Sequence, residues 1–356
     1  MRRLLAIFVL LLLVAAGAIA WAGWTLNQPY GNFPAEGVFV DVPRGASRRT
    51  VARLLADQGV IRNRVLFEAL TRVRAERTLQ AGEYFFDEPA SPVEVFDKIA
   101  SGRIFTRELT VPEGYSIFEI ADLVEREGLT TREDFLAAAR DPELARGLAP
   151  RAPSLEGFLF PATYQFPRRV SGQDIAEDMV QRFQQEWEAV SAQAGNPAGL
   201  TVQQAVTLAS LVESETPRTE ERPVVAGVFL NRLRKRIPLQ CDPTVAYAME
   251  LAGKFSGRLE ARDLRFESPY NTYRHIGLPP GPIASPGTMS LRAALDPAST
   301  EMIYFVADAE GGHVFSRTLA EHNRNVANYR QLLAQQRRAA RIAAATAAAP
   351  SPERSP

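Results

Sequence analysis

Residues 4–24 contain no charged side chain, and the pattern of the chain changes abruptly after them. About 20 apolar residues cross a bilayer as a helix, so this run predicts a transmembrane anchor within residues 1–26. Arg2 and Arg3 before it predict a cytoplasmic N-terminus with the body of the chain on the far side. Trp21 and Trp24 fall where interfacial aromatic residues gather. A cleaved signal peptide is the competing reading, since Ala18-Ile19-Ala20 offers a small-x-small cleavage site. The apolar run is longer than a signal-peptide core, which favours an uncleaved anchor.

Beyond the anchor the periods shorten. Residues 27–36, NQPYGNFPAE, carry Pro, Gly and Asn and read as a linker. Residues 38–61 and 107–130 then share one pattern: alternating apolar positions, V-P-x-G-x-S, and an apolar-periodic helix ending near Gly59 or Gly128. Each copy predicts strand, turn and helix, with Ser47 or Ser116 as the helix cap. Between them, 79–102 predicts a strand at 83–86 and a helix begun by Ser91-Pro92. These pieces make a small α+β module over 37–105.

Helical periodicity returns at 171–194 through Ile175, Met179, Phe183 and Trp187, and again at 201–215 and 219–235. After Pro238 the segments are turn-rich. Residues 302–316 predict a hairpin over Glu310-Gly311-Gly312. A helix at about 318–343 overlaps a tail, 336–356, whose low apolar content predicts disorder. The fold class expected is α+β: the anchor, the small module, then a mixed helical and β domain over 106–335.

Composition narrows the chemistry mainly by exclusion. Lys+Arg and Asp+Glu number 41 each in 356 residues, so no net field argues for nucleic acid. The single cysteine, Cys241, excludes an intramolecular disulfide and a multi-thiolate zinc site. There is no phosphate-binding glycine loop, no H-E-x-x-H and no G-x-S-x-G. His275, His313 and His322 lack neighbours at metal spacing and read as structural or surface residues, and neither metal nor cofactor is expected.

One stretch does carry candidate chemistry. In LASLVESETPR (208–218), Glu213 and Glu215 stand at the apolar end of a helix. On a helical wheel Gln203, Thr207, Ser210 and Ser214 form a polar stripe. Glu215 shares the flank of Leu208, Leu211 and Val212, while Glu213 leaves from the opposite flank. A carboxyl against leucines has its charged form desolvated and its pKa raised, as a general acid requires. The alternative is a helix-end carboxylate paired with Arg218 or Arg222, and periodicity leaves both open. Two further stretches suit sugar, whose ring faces stack on aromatic planes while the hydroxyls hydrogen-bond. EGFLFPATYQF (156–166) sets Phe158, Phe160, Tyr164 and Phe166 around Glu156. YNTYRHIGLPPGPIASPG (270–287) places Asn271, Thr272 and Tyr273 before a stiff Pro/Gly loop. Each could equally be a buried aromatic cluster or a structural turn.

Taken in order, the blocks EGFLFPATY, LASLVESET, VFLNRLRKRIPLQCDPTVAYAM, YNTYRHIGLPPGPIASPG and YFVADAEGGHVFSRTLAEHN resemble the MltG (YceG-like) endolytic murein transglycosylase family over almost the whole chain. The resemblance implies that Glu215 is the catalytic acid and that Glu213-Ser214 only imitates the signature of other lytic transglycosylases. It implies a LysM-like character for the 37–105 module. It also implies substrate contacts from Glu156, Tyr164, Gln240, Asp242, Asn271 and Tyr273. Two positions depart from the family pattern: Ala162, where Asp is frequent, and Cys241, where Thr or Ser is common.

The implied substrate is the glycan of bacterial peptidoglycan. The implied location is the inner (plasma) membrane with the catalytic domain periplasmic, and peptidoglycan synthases are candidate partners. One carboxyl suffices for such a reaction. It protonates the bridging oxygen between N-acetylmuramic acid and N-acetylglucosamine. It then accepts the proton of the muramyl C6 hydroxyl as that oxygen attacks C1 and leaves a 1,6-anhydro end. The rival readings are a hydrolytic muramidase and a membrane-tethered scaffold that binds glycan without cutting it.

Overall fold

In a computed structural model that describes residues 2–347, the apolar run forms α1 (Arg2–Leu26). Its hydropathy reaches 2.8 and none of that stretch is buried. By length and composition it can cross a membrane. The chain divides into two compact units, 1–107 with 165–168 and 108–164 with 169–356.

The first unit continues with β1 (Val38–Val42), α2 (Arg48–Asp57), α3 (Arg64–Val73), β2 (Gly82–Phe86) and α4 (Pro92–Ala100). The strands pair antiparallel with Val40 opposite Tyr84 and Val42 opposite Gly82. Alternation in VFVDV turns Val40 and Val42 inward, onto a core of Leu55, Phe67, Phe96 and Ile99. The Tyr84 hydroxyl, buried in that core, donates to the carbonyls of Gln80 and Ile99 at 2.9 and 3.2 Å. Ser47 accepts from the Thr50 amide at the start of α2, and Ser91 with Glu94 forms a capping box on α4. Helix α3 was not among the predicted elements, although Asn63 caps it by accepting from the amides of Val65 and Leu66.

The 27–36 stretch is no loose linker. Tyr30 and Ala90 exchange backbone hydrogen bonds of 3.1 and 3.2 Å, and the Asn32 amide donates to the Gly59 carbonyl at 2.9 Å. Gly59, at φ +73°, permits this approach, because a Cβ there would stand 2.0 Å from the Asn32 oxygen. Proline and glycine kept the segment out of a helix, but its amides still found partners.

The second unit carries most of β3 (Arg107–Thr110), then α5 (Ile117–Arg126), α6 (Arg132–Arg140), β4 (Thr163–Phe166), α7 (Gly172–Ser191) and α8 (Val202–Glu215). It ends with α9 (Arg222–Arg234), α10 (Asp242–Leu251), α11 (Thr288–Leu295), β5 (Tyr304–Ala307), β6 (His313–Ser316) and α12 (Leu319–Ala347). β3 pairs with β4 and β5 with β6, the latter antiparallel with Tyr304 opposite Ser316 and Ala307 opposite His313. Ser116 and Glu119 form the capping box of α5, so both copies of V-P-x-G-x-S end in a serine-capped helix.

Helix α8 is the centre of this unit. Every residue from Ala205 to Val212 is buried, and α9, α10 and α11 pack around it. Two members of the polar stripe are interior: Thr207 and Ser210 are as buried as Leu208 and Leu211. Their hydroxyls are satisfied by the backbone of the preceding turn, Thr207 donating to the Gln203 carbonyl and Ser210 to that of Thr207. The helix expected over about 318–343 is α12, and it continues through an alanine-rich run, where helix propensity is high, into the 336–356 tail as far as Ala347. Residues 348–356 of that tail lie outside the described residues.

Candidate active site

Helix α8 brings its two glutamates to opposite environments. They are two residues apart, about 200° around the axis, so one side chain faces away from the other. On one side, α8 is tied to the Pro/Gly loop. Gln203 Nε2 donates to the Pro280 carbonyl at 2.8 Å, Ser210 Oγ accepts from the Ile283 amide at 3.1 Å, and Glu213 Oε2 accepts from the Gly287 amide at 3.0 Å. Glu213 Oε1 also pairs with Arg222 Nη2 at 2.6 Å, both side chains being only 6% exposed. Arg222 reaches Glu113 as well, at 3.4 Å. Burial raises the Glu213 carboxyl, opposed by the Gly287 amide and the Arg222 charge. This carboxylate holds the loop to the helix.

Glu215 faces the other way, into a cavity of about 650 Å³. Burial raises its carboxyl pKa and the Asp242 charge adds to that, while a hydrogen bond from the Cys241 thiol and the charges of His313 and Arg232 pull it back. Cys241 is fully buried and its thiol is itself held well above the usual range by burial and by Glu215, so it stays a donor to the carboxylate. The Cys241 departure therefore bears on Glu215 directly. The Ala162 departure does not: its carbonyl accepts from the Val111 amide at 2.9 Å.

Three more of the predicted residues line the same cavity: Gln240, Asp242 and Tyr273. Tyr273 Oη donates to Asp242 Oδ1 at 2.5 Å. Gln240 adopts φ +53°, a left-handed conformation unfavourable for a side chain of its kind. Its Oε1 accepts from Arg232 Nη2 at 2.9 Å, while Arg232 Nη1 donates to the Leu239 carbonyl at 2.8 Å. Non-glycine residues in such conformations concentrate at functional sites.

The other predicted contacts are elsewhere. Glu156 is fully buried; its Oε2 accepts from the Ile117 amide at 3.0 Å, and it does not line this cavity. Desolvation raises it to about 8, against hydrogen bonds from Ile117 and Tyr247. Its role is to cap α5 from within the core. Asn271 is equally buried. Its Nδ2 donates to the carbonyls of Leu264 and Phe266 at 3.1 and 2.7 Å, and its Oδ1 accepts from the Tyr273 amide at 2.9 Å. All its polar capacity goes to shaping the loop that presents Tyr273. Tyr164 donates to the Phe160 carbonyl at 2.6 Å, away from the Glu215 cavity. Phe158 packs edge-on to Phe183 at 5.2 Å, so the aromatic block is core, not a sugar platform.

Sequence reasoning missed one wall of the cavity. The β5–β6 hairpin contributes Tyr304, Phe305 and His313, and α12 contributes His322. His313 Nδ1 lies 2.7 Å from Glu221 Oε2, and its amide donates to Glu221 Oε1 at 2.9 Å. Thr216, the residue after Glu215, donates to the same carboxylate at 3.0 Å. Burial raises Glu221, but the bonds from His313 and Thr216 outweigh it and hold the carboxyl below its ordinary range. Glu221 thus fastens the hairpin to the end of α8. His313 accordingly has the structural role expected of it, and both it and His322 also line the cavity. The separation of 92 residues between Glu221 and His313 hid the pair from any local pattern.

Comparison with known proteins agrees with this arrangement. The YceG-like family model matches residues 40–328. An endolytic murein transglycosylase of Bacillus subtilis is 33% identical over 333 residues, spanning 89% of this chain and 91% of that protein. An endolytic murein transglycosylase of Streptococcus pneumoniae is 29% identical over 353 residues, spanning 90% of this chain and 64% of that one. A crystal structure of a yceG-like protein from Listeria monocytogenes superimposes with a TM-score of 0.53 at 32% identity, covering 81% of this chain and 99% of the other. The matched span takes in Glu215 on α8, Gln240, Asp242, Tyr273 and the β5–β6 hairpin, all of which line the cavity, and the chain belongs to the YceG-like family.

Proposed function

We propose that this chain is a membrane-anchored endolytic murein transglycosylase, with Glu215 as both general acid and general base. The observation that carries the reading is the raised Glu215 carboxyl facing a large cavity whose other acidic wall residue among the described residues, Asp242, is engaged by Tyr273. A proton on Glu215 is delivered to the glycosidic oxygen between N-acetylmuramic acid and N-acetylglucosamine as the bond to C1 breaks. The resulting carboxylate takes the proton of the muramyl C6 hydroxyl while that oxygen bonds to C1. The acid is regenerated and no water is consumed. The Cys241 thiol and the charges of His313 and Arg232 favour the ionised form of Glu215 between the two transfers, against the burial that favours its protonated form. Asp242 with Tyr273, and Gln240 with Arg232, orient the sugar.

A hydrolytic muramidase is the second reading, because Asp242 stands in the same cavity and glycosidases use carboxylate pairs. Mass spectrometry of murein digested by the full chain separates the two. 1,6-Anhydro ends that vanish in Glu215→Gln support the transglycosylase; reducing ends would establish the hydrolase. Helix α1 supports anchoring in the plasma membrane with the catalytic unit outside, where nascent strands emerge and synthases work. The 37–105 module, read as LysM-like from the family resemblance, would position the enzyme on glycan.

A further inference from the structure

The proposed chemistry uses Glu215 with Cys241, His313, Arg232, Gln240, Asp242 and Tyr273 and assigns nothing to the cavity wall formed by α12. Leu319, His322, Asn323, Val326 and Arg330 all line it. Their offsets from Leu319 are three, four, seven and eleven, one stripe on one helix face. At 1.5 Å per residue that stripe is about 16 Å long, more than a single bond to be cut requires. Two buried polar atoms here have no hydrogen-bond partner among the described residues, His322 Nδ1 on α12 and Arg232 Nε on the neighbouring α9. The two side chains flank Tyr304, the His322 ring stacked on it at 5.1 Å and the Arg232 guanidinium 5.4 Å from its centre. Buried polar atoms without partners are costly, and in a cavity wall a ligand's hydroxyl or carbonyl can satisfy them.

Arg330 ends the stripe. It is exposed and makes no ion pair among the described residues, whereas Arg317 just before α12 pairs with Glu301 at 3.2 Å. An uncharged sugar backbone gives such a cation nothing to neutralise. The peptides attached to muramyl residues carry carboxylates, which fit the guanidinium fork.

We infer that the α12 stripe is a substrate-binding wall and that Arg330 at its far end recognises a carboxylate of the peptide borne by the glycan strand. This rests on the murein transglycosylase reading. The test therefore measures binding in the Glu215→Gln background, which needs no turnover. Soluble murein strands released from sacculi are compared with the same strands stripped of peptide by an amidase. Adding Arg330→Gln should raise Kd for peptide-bearing strands about 5- to 10-fold, at least several times more than for stripped strands, and Arg330→Lys should recover part of the loss. An equal effect on both strands, or none on either, overturns the inference. A loss confined to stripped strands, which bear a free lactyl carboxylate, overturns the peptide assignment. If the single Glu215→Gln variant still cuts murein, the catalytic reading fails, whatever the binding data show.

Discussion

Glu213 and Arg222 form a 2.6 Å ion pair with both side chains almost wholly buried, two residues before a glutamate that faces an open cavity. The pair explains why two neighbouring carboxyls of one helix have different tasks. Glu213 is engaged by Arg222 and the Gly287 amide, whereas Glu215 faces the cavity, where we propose it acts as the acid.

The two glutamine substitutions should therefore fail in different ways. Glu215→Gln should fold normally and lose activity on murein by roughly 10²–10⁴-fold, the usual worth of general acid–base catalysis. Glu213→Gln leaves the Arg222 charge buried with only Glu113 nearby, and should cost about 3 kcal/mol of stability. Thermal melts beside the anhydro-end assay distinguish them. A stable, inactive Glu213→Gln protein would move the acid to position 213.

Cys241 gives a prediction with a definite sign. Its thiol donates to the Glu215 carboxylate and so lowers that pKa. Cys241→Ala removes the donor and should shift the alkaline limb of the kcat/KM profile to higher pH. Cys241→Ser supplies a stronger donor and should shift it to lower pH. Identical profiles for the two variants would show that the contact has no effect on the acid.

Glu156 should govern the pH dependence of stability. Its folded value, about 8, stands above the ordinary 4.5, so between these the folded state holds a proton that the unfolded state has released. Stability from this group is full at acid pH and falls as pH rises towards 8, by at most about 1.4 kcal/mol per unit. Glu156→Gln removes the titration, and its melting temperature should fall less than that of the wild type between about pH 5 and pH 8. Parallel curves for the two proteins would refute the assignment.

Tyr273 and Asn271, with only Thr272 between them, should separate function from folding. Tyr273→Phe removes the donor to Asp242 and should lower turnover while the fold survives. Asn271→Ala leaves the carbonyls of Leu264 and Phe266 unpaired in the interior and should cost about 2–4 kcal/mol. Circular dichroism melts with activity measured on the same preparations decide the matter.

Local pattern determined much of this protein. The uncharged run that forms α1, the two serine-capped repeats, the hairpin over Glu310-Gly311-Gly312 and the helix ending at Glu215 depend on neighbours a few residues apart, and such spacings are written in order along the chain. The side to which each α8 glutamate points also follows from helix geometry alone. What surrounds each side was decided by tertiary packing. Thr207 and Ser210 form a polar stripe in the sequence, yet both are buried, because a helix covered on all faces buries its polar positions too. Glu156 and Asn271 sit in motifs that suit sugar, yet burial committed both to backbone partners. Glu221 and His313, or Tyr304 between His322 and Arg232, meet only when distant segments fold together. No period or spacing in the sequence encodes such a contact, since its strength depends on burial and distance, which exist only in the folded chain.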